Sequence, residues 1–249
     1  MKILPLLSLL LDYPQQGIID AQDELLALVD TSDLNIDDKN GLKQFIQHRC
    51  SGDLMNWQSE YDGLFERGRS LSLLIFEHIH GESRDRGQAM VNLLDQYKEA
   101  GLELGVKELP DYLPLYLEFL STQGQQNAQI GLEEIAPILA VLACRADQRK
   151  TDYAVLFHTL LNLSKAEIDL SDIKAQISTE KRDDTPKELD KVWEEEMVTF
   201  MGNEQANAGC GTSNKPSEQQ RRDHFIPLNN ELQSDATIAF DSTTSAKGV

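Results

Sequence analysis

The residues of this chain best suited to chemistry lie between positions 60 and 116. Glu77-His78-Ile79-His80-Gly81-Glu82 sets two imidazoles between two carboxylates, a donor set that could hold a metal. Two residues apart on a helix, His78 and His80 face different ways, so a shared metal requires the chain to leave helical geometry between them. Gly81 is a residue at which a helix can end. A surface or hydrogen-bonding histidine pair is the simpler account. Arg67, Arg69, Arg84 and Arg86 crowd into the same stretch. They either pair with Glu66, Glu77, Glu82 and Asp85 or form a polar rim around an apolar groove, with guanidinium forks free for a peptide. In Glu108-Leu109-Pro110-Asp111-Tyr112-Leu113-Pro114, Asp111 is placed to cap a helix that carries Pro114 in its first turn. The same corner can set Tyr112 and an acidic pair at the mouth of a groove, where carboxylates favour a positively charged peptide.

None of this amounts to a catalytic constellation. The sequence has no Gly-x-x-x-x-Gly-Lys-Ser/Thr, no Gly-x-Gly-x-x-Gly after a strand, no His-Glu-x-x-His and no Cys-x-x-Cys. Cys144 follows the apolar stretch 140–143 and reads as a small buried hydrophobe without an activating partner. Cys50, Cys144 and Cys210 are odd in number and widely spaced, which fits a reducing compartment better than a disulfide framework. The net charge of −19, from 42 acidic and 23 basic side chains, repels phosphate backbones and anionic membranes. It serves solubility or meets a basic segment on a protein partner.

The elements that must position these residues are helices. Leu113, Leu117 and Leu120, then Leu156, Leu160 and Leu163, and the stripe Met90, Leu93, Leu94 and Tyr97 recur at helical spacing, while alternating strand patterns are missing. Helices are predicted over 3–11, 18–30, 40–49, 54–67, 70–79, 84–100, 111–121, 131–147, 152–163, 165–177 and 186–200. The apolar run 3–11 is too short to span a membrane and reads as a buried first helix. Capping boxes are expected at Ser164-Lys165-Ala166-Glu167 and Thr185-Pro186-Lys187-Glu188. Pro137 either starts its helix or bends it. The charged loop 178–185 has room to move. Residues 1–200 therefore form one all-α domain, and 201–249 read as a polar, disordered tail interrupted by Arg221-Arg222-Asp223-His224-Phe225-Ile226-Pro227.

Tyr61-Asp62-Gly63-Leu64-Phe65, the run from Leu74-Ile75-Phe76 through Arg86-Gly87-Gln88-Ala89-Met90, and Glu108-Leu109-Pro110-Asp111 together resemble the nitrate reductase delta subunit family, assembly chaperones within the wider redox-enzyme maturation family. Asp183-Asp184-Thr185-Pro186 and Leu189-Asp190-Lys191-Val192-Trp193 support the likeness, which covers about residues 1 to 200. Tyr61, Leu64 and Phe65 match a tyrosine, two spacers, leucine and phenylalanine of that wider family. Glu108, Pro110 and Asp111 match its glutamate-proline-aspartate-histidine motif with Leu109 inserted, and Tyr112 stands where the pattern has histidine. A tyrosine there keeps packing and one hydrogen bond but does not titrate near neutral pH.

The resemblance implies a single-domain helical bundle of the maturation-chaperone type, cytoplasmic and without catalytic residues, metal or cofactor of its own. It also implies binding to the N-terminal region of the nitrate reductase catalytic (alpha) subunit, held competent for molybdenum cofactor insertion, with no nucleic acid partner and only indirect contact with the membrane. The expected peptide site has apolar walls from Tyr61, Leu64, Phe65, Leu113 and Tyr116. Its polar contacts come from Arg67, Arg69, Glu82, Arg84, Asp85, Glu108 and Asp111, with Tyr112 among them. Two other readings remain at this point: an enzyme acting on a guanine nucleotide, and a permanent structural subunit of the membrane complex.

Overall fold

The computed structural model describes residues 1–80, 84–105, 108–180 and 182–183; the side chains of His80 and Arg84 lie outside the description. The tail beyond 200, the box at Thr185, the helix expected over 186–200, Cys210 and Glu82 also fall outside it.

The chain opens with α1 (Leu4–Leu11), where Leu4, Leu6, Leu7, Leu10 and Leu11 are all buried. A helix so apolar must be covered on most sides. It lies along α8 (Leu113–Thr122), and its one buried hydroxyl, on Ser8, donates to the carbonyl of Pro114 at 2.7 Å. The predicted helix over 18–30 is instead two, α2 (Gln16–Asp20) and α3 (Gln22–Thr31), separated at Ala21, whose ψ of 13° interrupts the helical course. α4 (Ile36–Ser51) starts earlier than expected because Asn35 caps it, its side-chain oxygen accepting from the amide of Asp38. α5 (Leu54–Tyr61), capped by Asp53, widens into a π-helical turn over Asp62–Glu66.

The next segment departs most from expectation. Residues 70–74 are not helical: Leu74 pairs with Tyr112 in an antiparallel bridge, the amide of Ile75 donates to the carbonyl of Asp111 at 2.9 Å, and that of Leu113 to Leu73 at 2.8 Å. Residues 70–73 form a turn and a bend that lead into the bridge at Leu74, so α6 spans only Ile75–His80. α7 (Arg84–Glu99) follows, with Leu93 and Tyr97 buried and Arg86, Ala89, Met90 and Leu94 half-buried along one stripe.

α9 (Gly124–Glu134) is a helix that sequence periodicity missed, since its Gln-rich first turns lack an apolar stripe. It meets α10 (Ala136–Arg149) at 64°, with Pro137 in the first turn of α10, where a missing amide proton costs no helix bond. α9 comes close to α8: a Cβ on Gly131 would stand 2.4 Å from a Leu120 methyl. α11 (Ala154–Ser164) ends at Lys165, which takes a positive φ of 58°. The box expected at Ser164 therefore acts as a stop. Ser164 Oγ donates back to Leu161 O and accepts from Ala166 N, and α12 starts later, as Leu170–Thr179, under the cap of Asp169.

The result is an all-α bundle in which α10 packs against α11 and α12, and α11 against α4 and α9. Its aromatic centre is Phe45, Trp57, Tyr61, Phe65, Tyr153 and Phe157, with ring centroids 4.8 Å apart for Tyr61–Phe65 and 4.9 Å for Phe65–Tyr153. Trp57 donates its indole N–H to the Tyr153 hydroxyl at 2.7 Å, so this core holds no orphaned indole. Cys50 and Cys144 are buried free thiols, both pushed up by burial, as expected of inert cysteines. Among the described residues, no single helix is long and apolar enough to cross a membrane.

Candidate partner-binding site

Asp111 is placed by the bridge between 73–75 and 111–113 and is fully buried. It was expected to cap α8. Instead its carboxylate accepts from the amide of Phe76 at 3.1 Å and so caps α6 from across the chain, while Tyr112 precedes α8 without a side-chain cap bond. Arg86 reaches from α7 to both Glu77 (3.3 Å) and Asp111 (3.6 Å), so one arginine of the crowded stretch is an internal ion-pair partner. Burial pushes the Asp111 carboxyl above its ordinary value, outweighing the Phe76 hydrogen bond and the Arg86 charge. Among the described residues, its second oxygen and Arg86 Nε find no hydrogen-bond partner.

Tyr112 lies beside it, half-buried, and donates its hydroxyl to Asp12 at 2.9 Å. The Tyr61 hydroxyl stands 3.0 Å from Leu11 O, at the end of α1, and 3.1 Å from the Tyr112 hydroxyl. With a single proton, Tyr61 serves one of them at a time. The Leu11 carbonyl belongs to the last turn of α1, where helix carbonyls lack intrahelical partners. Burial raises both phenols, so Tyr112 stays neutral where a histidine would titrate. Asp12 is the member of this group that sequence reasoning missed. It follows α1, and no spacing motif links it to residue 112.

Around Tyr112 gather carboxylates from four segments. The carboxyl of Glu118, on α8, is raised first by partial burial and then by the charges of Asp12 and Glu108; the Tyr112 phenol feels Asp12 and Glu66. Among the described residues no cation pairs with Asp12, Glu66, Glu108 or Glu118. Tyr13 and Leu109, 40% and 44% exposed, add apolar area beside Asp12 and Glu108. This half-apolar acidic surface, its carboxylates without ion pairs among the described residues, is suited to a basic amphipathic segment.

The expected groove walls lie elsewhere than on the surface. Tyr61 is 1% exposed, Phe65 5%, Leu113 1% and Tyr116 7%, and Leu64 is half-buried; they are core, as their aromatic and aliphatic types favour. Arg67, Arg69, Asp85 and Glu108 are exposed, and Glu108 joins the surface around Tyr112. His78 is half-buried and bonds Ser72 O through Nε2 at 2.8 Å, while its expected companions, the side chain of His80 and Glu82, lie outside the description. No group of metal-binding side chains occurs among the described residues. A cleft of about 560 Å³ between the start of α1, the α3–α4 connection, α9 and the end of α11 contains none of the motif residues.

The charged loop after α12 was expected to be free to move, yet its described part is tied down. Glu180 takes a two-pronged contact from Arg145 at 3.0 and 3.2 Å. Asp183 accepts from Ser70 N (2.8 Å), Ser70 Oγ (2.7 Å) and Arg149 (2.6 Å), fixing it over the turn that follows the Tyr61–Phe65 motif. Burial pulls the Asp183 carboxyl up, but the Ser70 and Arg149 contacts outweigh it and hold the group below its ordinary value. Its stabilising contribution is therefore complete above the unfolded carboxylate value of about 3.9 and is lost as pH falls through the lower folded value. Asp183→Asn should melt below the wild type at neutral pH, and the two melting curves should converge on acidification, as followed by circular dichroism.

A family model described as nitrate reductase delta subunit matches residues 33–159. The chain is 48% identical over 219 residues to the nitrate reductase molybdenum cofactor assembly chaperone NarJ of Escherichia coli K12, covering 88% of this chain and 91% of that one. It is 42% identical over 222 residues to NarW of the same strain, named a probable chaperone of the same kind, covering 89% and 92%. The crystal structure of a redox enzyme maturation protein from Archaeoglobus fulgidus aligns with 66% of this chain and 93% of its own at a TM-score of 0.48 and 20% identity. A model spanning half the chain, together with relatives of this identity along nearly its whole length, establishes that the chain belongs to the nitrate reductase delta subunit family.

Proposed function

We propose that this protein is the assembly chaperone of a respiratory nitrate reductase: it binds the apo catalytic subunit in the cytoplasm, keeps it competent for molybdenum cofactor insertion, and leaves the finished enzyme. It is a binding protein and makes or breaks no bond. The contact proposed is with the N-terminal region of the catalytic subunit, taken as a basic amphipathic helix. The observation that carries this reading is the set of four carboxylates around Tyr112 that make no ion pair among the described residues, next to exposed Tyr13 and Leu109. Such a surface speeds encounter with a basic segment and rewards its docking, in a salt-dependent way. Release follows from differential affinity: the chaperone holds the open apo-subunit and loses its grip when cofactor insertion closes that subunit.

The test is a titration of the protein with a synthetic peptide covering that N-terminal region. Glu108 and Glu118 are exposed and suit charge reversal, whereas Asp111 is buried and a change there would confound binding with folding. Glu108→Lys with Glu118→Lys should weaken binding by roughly tenfold or more at low salt, with the gap narrowing as salt screens the charges. Unchanged affinity would remove this surface from the account.

A further inference from the structure

α7 touches the body along one stripe whose fully buried members are Leu93 and Tyr97, four residues apart. The Tyr97 ring packs on Phe119 of α8 at 4.7 Å, Phe119 stands 6.1 Å from Tyr116, and the Tyr97 hydroxyl donates to Pro110 O at 2.7 Å. At its other end α7 is held by Arg86, through Glu77 and Asp111. The part of α8 around Phe119 is thus apolar, bordered by Glu118 and Glu108, and covered by a helix of the same chain, while Tyr116 turns its hydroxyl to Gly131 O of α9. The fit is only half complementary. α7 supplies an aliphatic-then-aromatic stripe at helical spacing, but its Arg84, Arg86 and Lys98 are offset by Asp85, Asp95 and Glu99. It brings no net charge to the four carboxylates nearby.

We propose that α7 is a built-in occupant of the partner's docking face, displaced when a basic amphipathic helix with a matching apolar stripe binds. This rests on the functional reading above and deepens it: the partner helix supplies both the stripe that α7 offers and the positive charge that α7 lacks. It accounts for Phe119 being buried under Tyr97 on a helix that borders the acidic surface, since the face it helps to build is closed in the unbound chain. The partner's apparent affinity is then its affinity for the uncovered face multiplied by the fraction of molecules in which α7 has lifted. Loosening α7 therefore strengthens binding, opposite to what damage to a rigid site would do.

The experiment compares the full chain with Tyr97→Phe, which deletes only the hydroxyl bonded to Pro110, and with Leu93→Ala, using the same synthetic N-terminal peptide. Losing one hydrogen bond of ordinary strength should tighten binding by roughly 2- to 10-fold in Tyr97→Phe, even though the variant melts at a lower temperature. Amide hydrogen exchange over residues 90–97 should speed up in the complex. Leu93→Ala, with less of the stripe to hold α7 down, should tighten binding in the same direction. If the wild type binds but the variants bind equally or more weakly, or if residues 90–97 become protected in the complex, the displacement of α7 is overturned while the chaperone reading stands. If neither wild type nor variants bind, the functional reading falls and takes this inference with it.

Discussion

Asp111→Ala is expected to lower stability by about 3 kcal/mol, while Asp111→Asn should stay within about 1 kcal/mol of the wild type. The alanine removes the acceptor that caps α6, worth about 1 kcal/mol, and leaves Arg86 paired with Glu77 alone. Breaking a buried pair from one side costs about 3–5 kcal/mol, and the lower end applies because Arg86 keeps its second partner and is 19% exposed. For a domain of this size the alanine variant should melt roughly 6–12 °C lower. Asparagine keeps an oxygen for the Phe76 amide and places no charge in a site where burial disfavours it. The sign with pH follows. Because the folded carboxyl lies above its unfolded value, the stability it contributes is complete at acid pH and is lost as pH rises through the folded value. Asp111→Asn should therefore gain on the wild type between an acidic and a neutral urea titration. A loss for asparagine as large as for alanine would mean that the charge, not the cap, carries the role of Asp111.

Asp111 also shows where the sequence was legible and where it was not. Its residue type and the prolines around it signalled a cap, and it is one; spacing cannot reveal that the capped helix is α6, reached through a bridge between segments some forty residues apart. The same limit explains residues 70–74. Local apolar content matches a helix, and the backbone bonds that tie 73–75 to 111–113 hold the segment in a turn and an isolated bridge instead. Helices with a strong stripe or a clear stop, such as α1, α7 and α11, were placed within a few residues. α9 was missed because glutamines and glycines mask its face, although close packing of Gly131 on α8 holds it in place. In the candidate site, Glu108 and Tyr112 were legible from their motif. Asp12 and Glu118 were not, because what joins them to Tyr112 is the packing of α1 along α8, a tertiary fact without a local signature.

Tyr61 separates a motif residue that binds from one that folds. Its ring lies 4.8 Å from Phe65, 5.5 Å from Tyr13 and 6.2 Å from Tyr153, and its hydroxyl reaches the last turn of α1. Truncation to alanine should cost about 3–5 kcal/mol, the usual range for removing an aromatic ring from a packed core. Tyr61→Phe should cost about 1–3 kcal/mol, since it leaves the Leu11 carbonyl without that donor in an apolar surround and strips the Tyr112 hydroxyl of a neighbour. Both losses should appear in chemical denaturation with the dependence on denaturant unchanged. Peptide affinity, corrected for the folded fraction, should change by less than threefold in Tyr61→Phe, roughly the 0.6 kcal/mol expected of a residue behind the contact surface. A residue that lined an open groove would behave in the reverse way: the phenylalanine variant would melt like the wild type, and the alanine variant would lose affinity while keeping its stability. The first pattern assigns the tyrosine-leucine-phenylalanine motif to the core that supports the docking face, and the second would return it to the face itself.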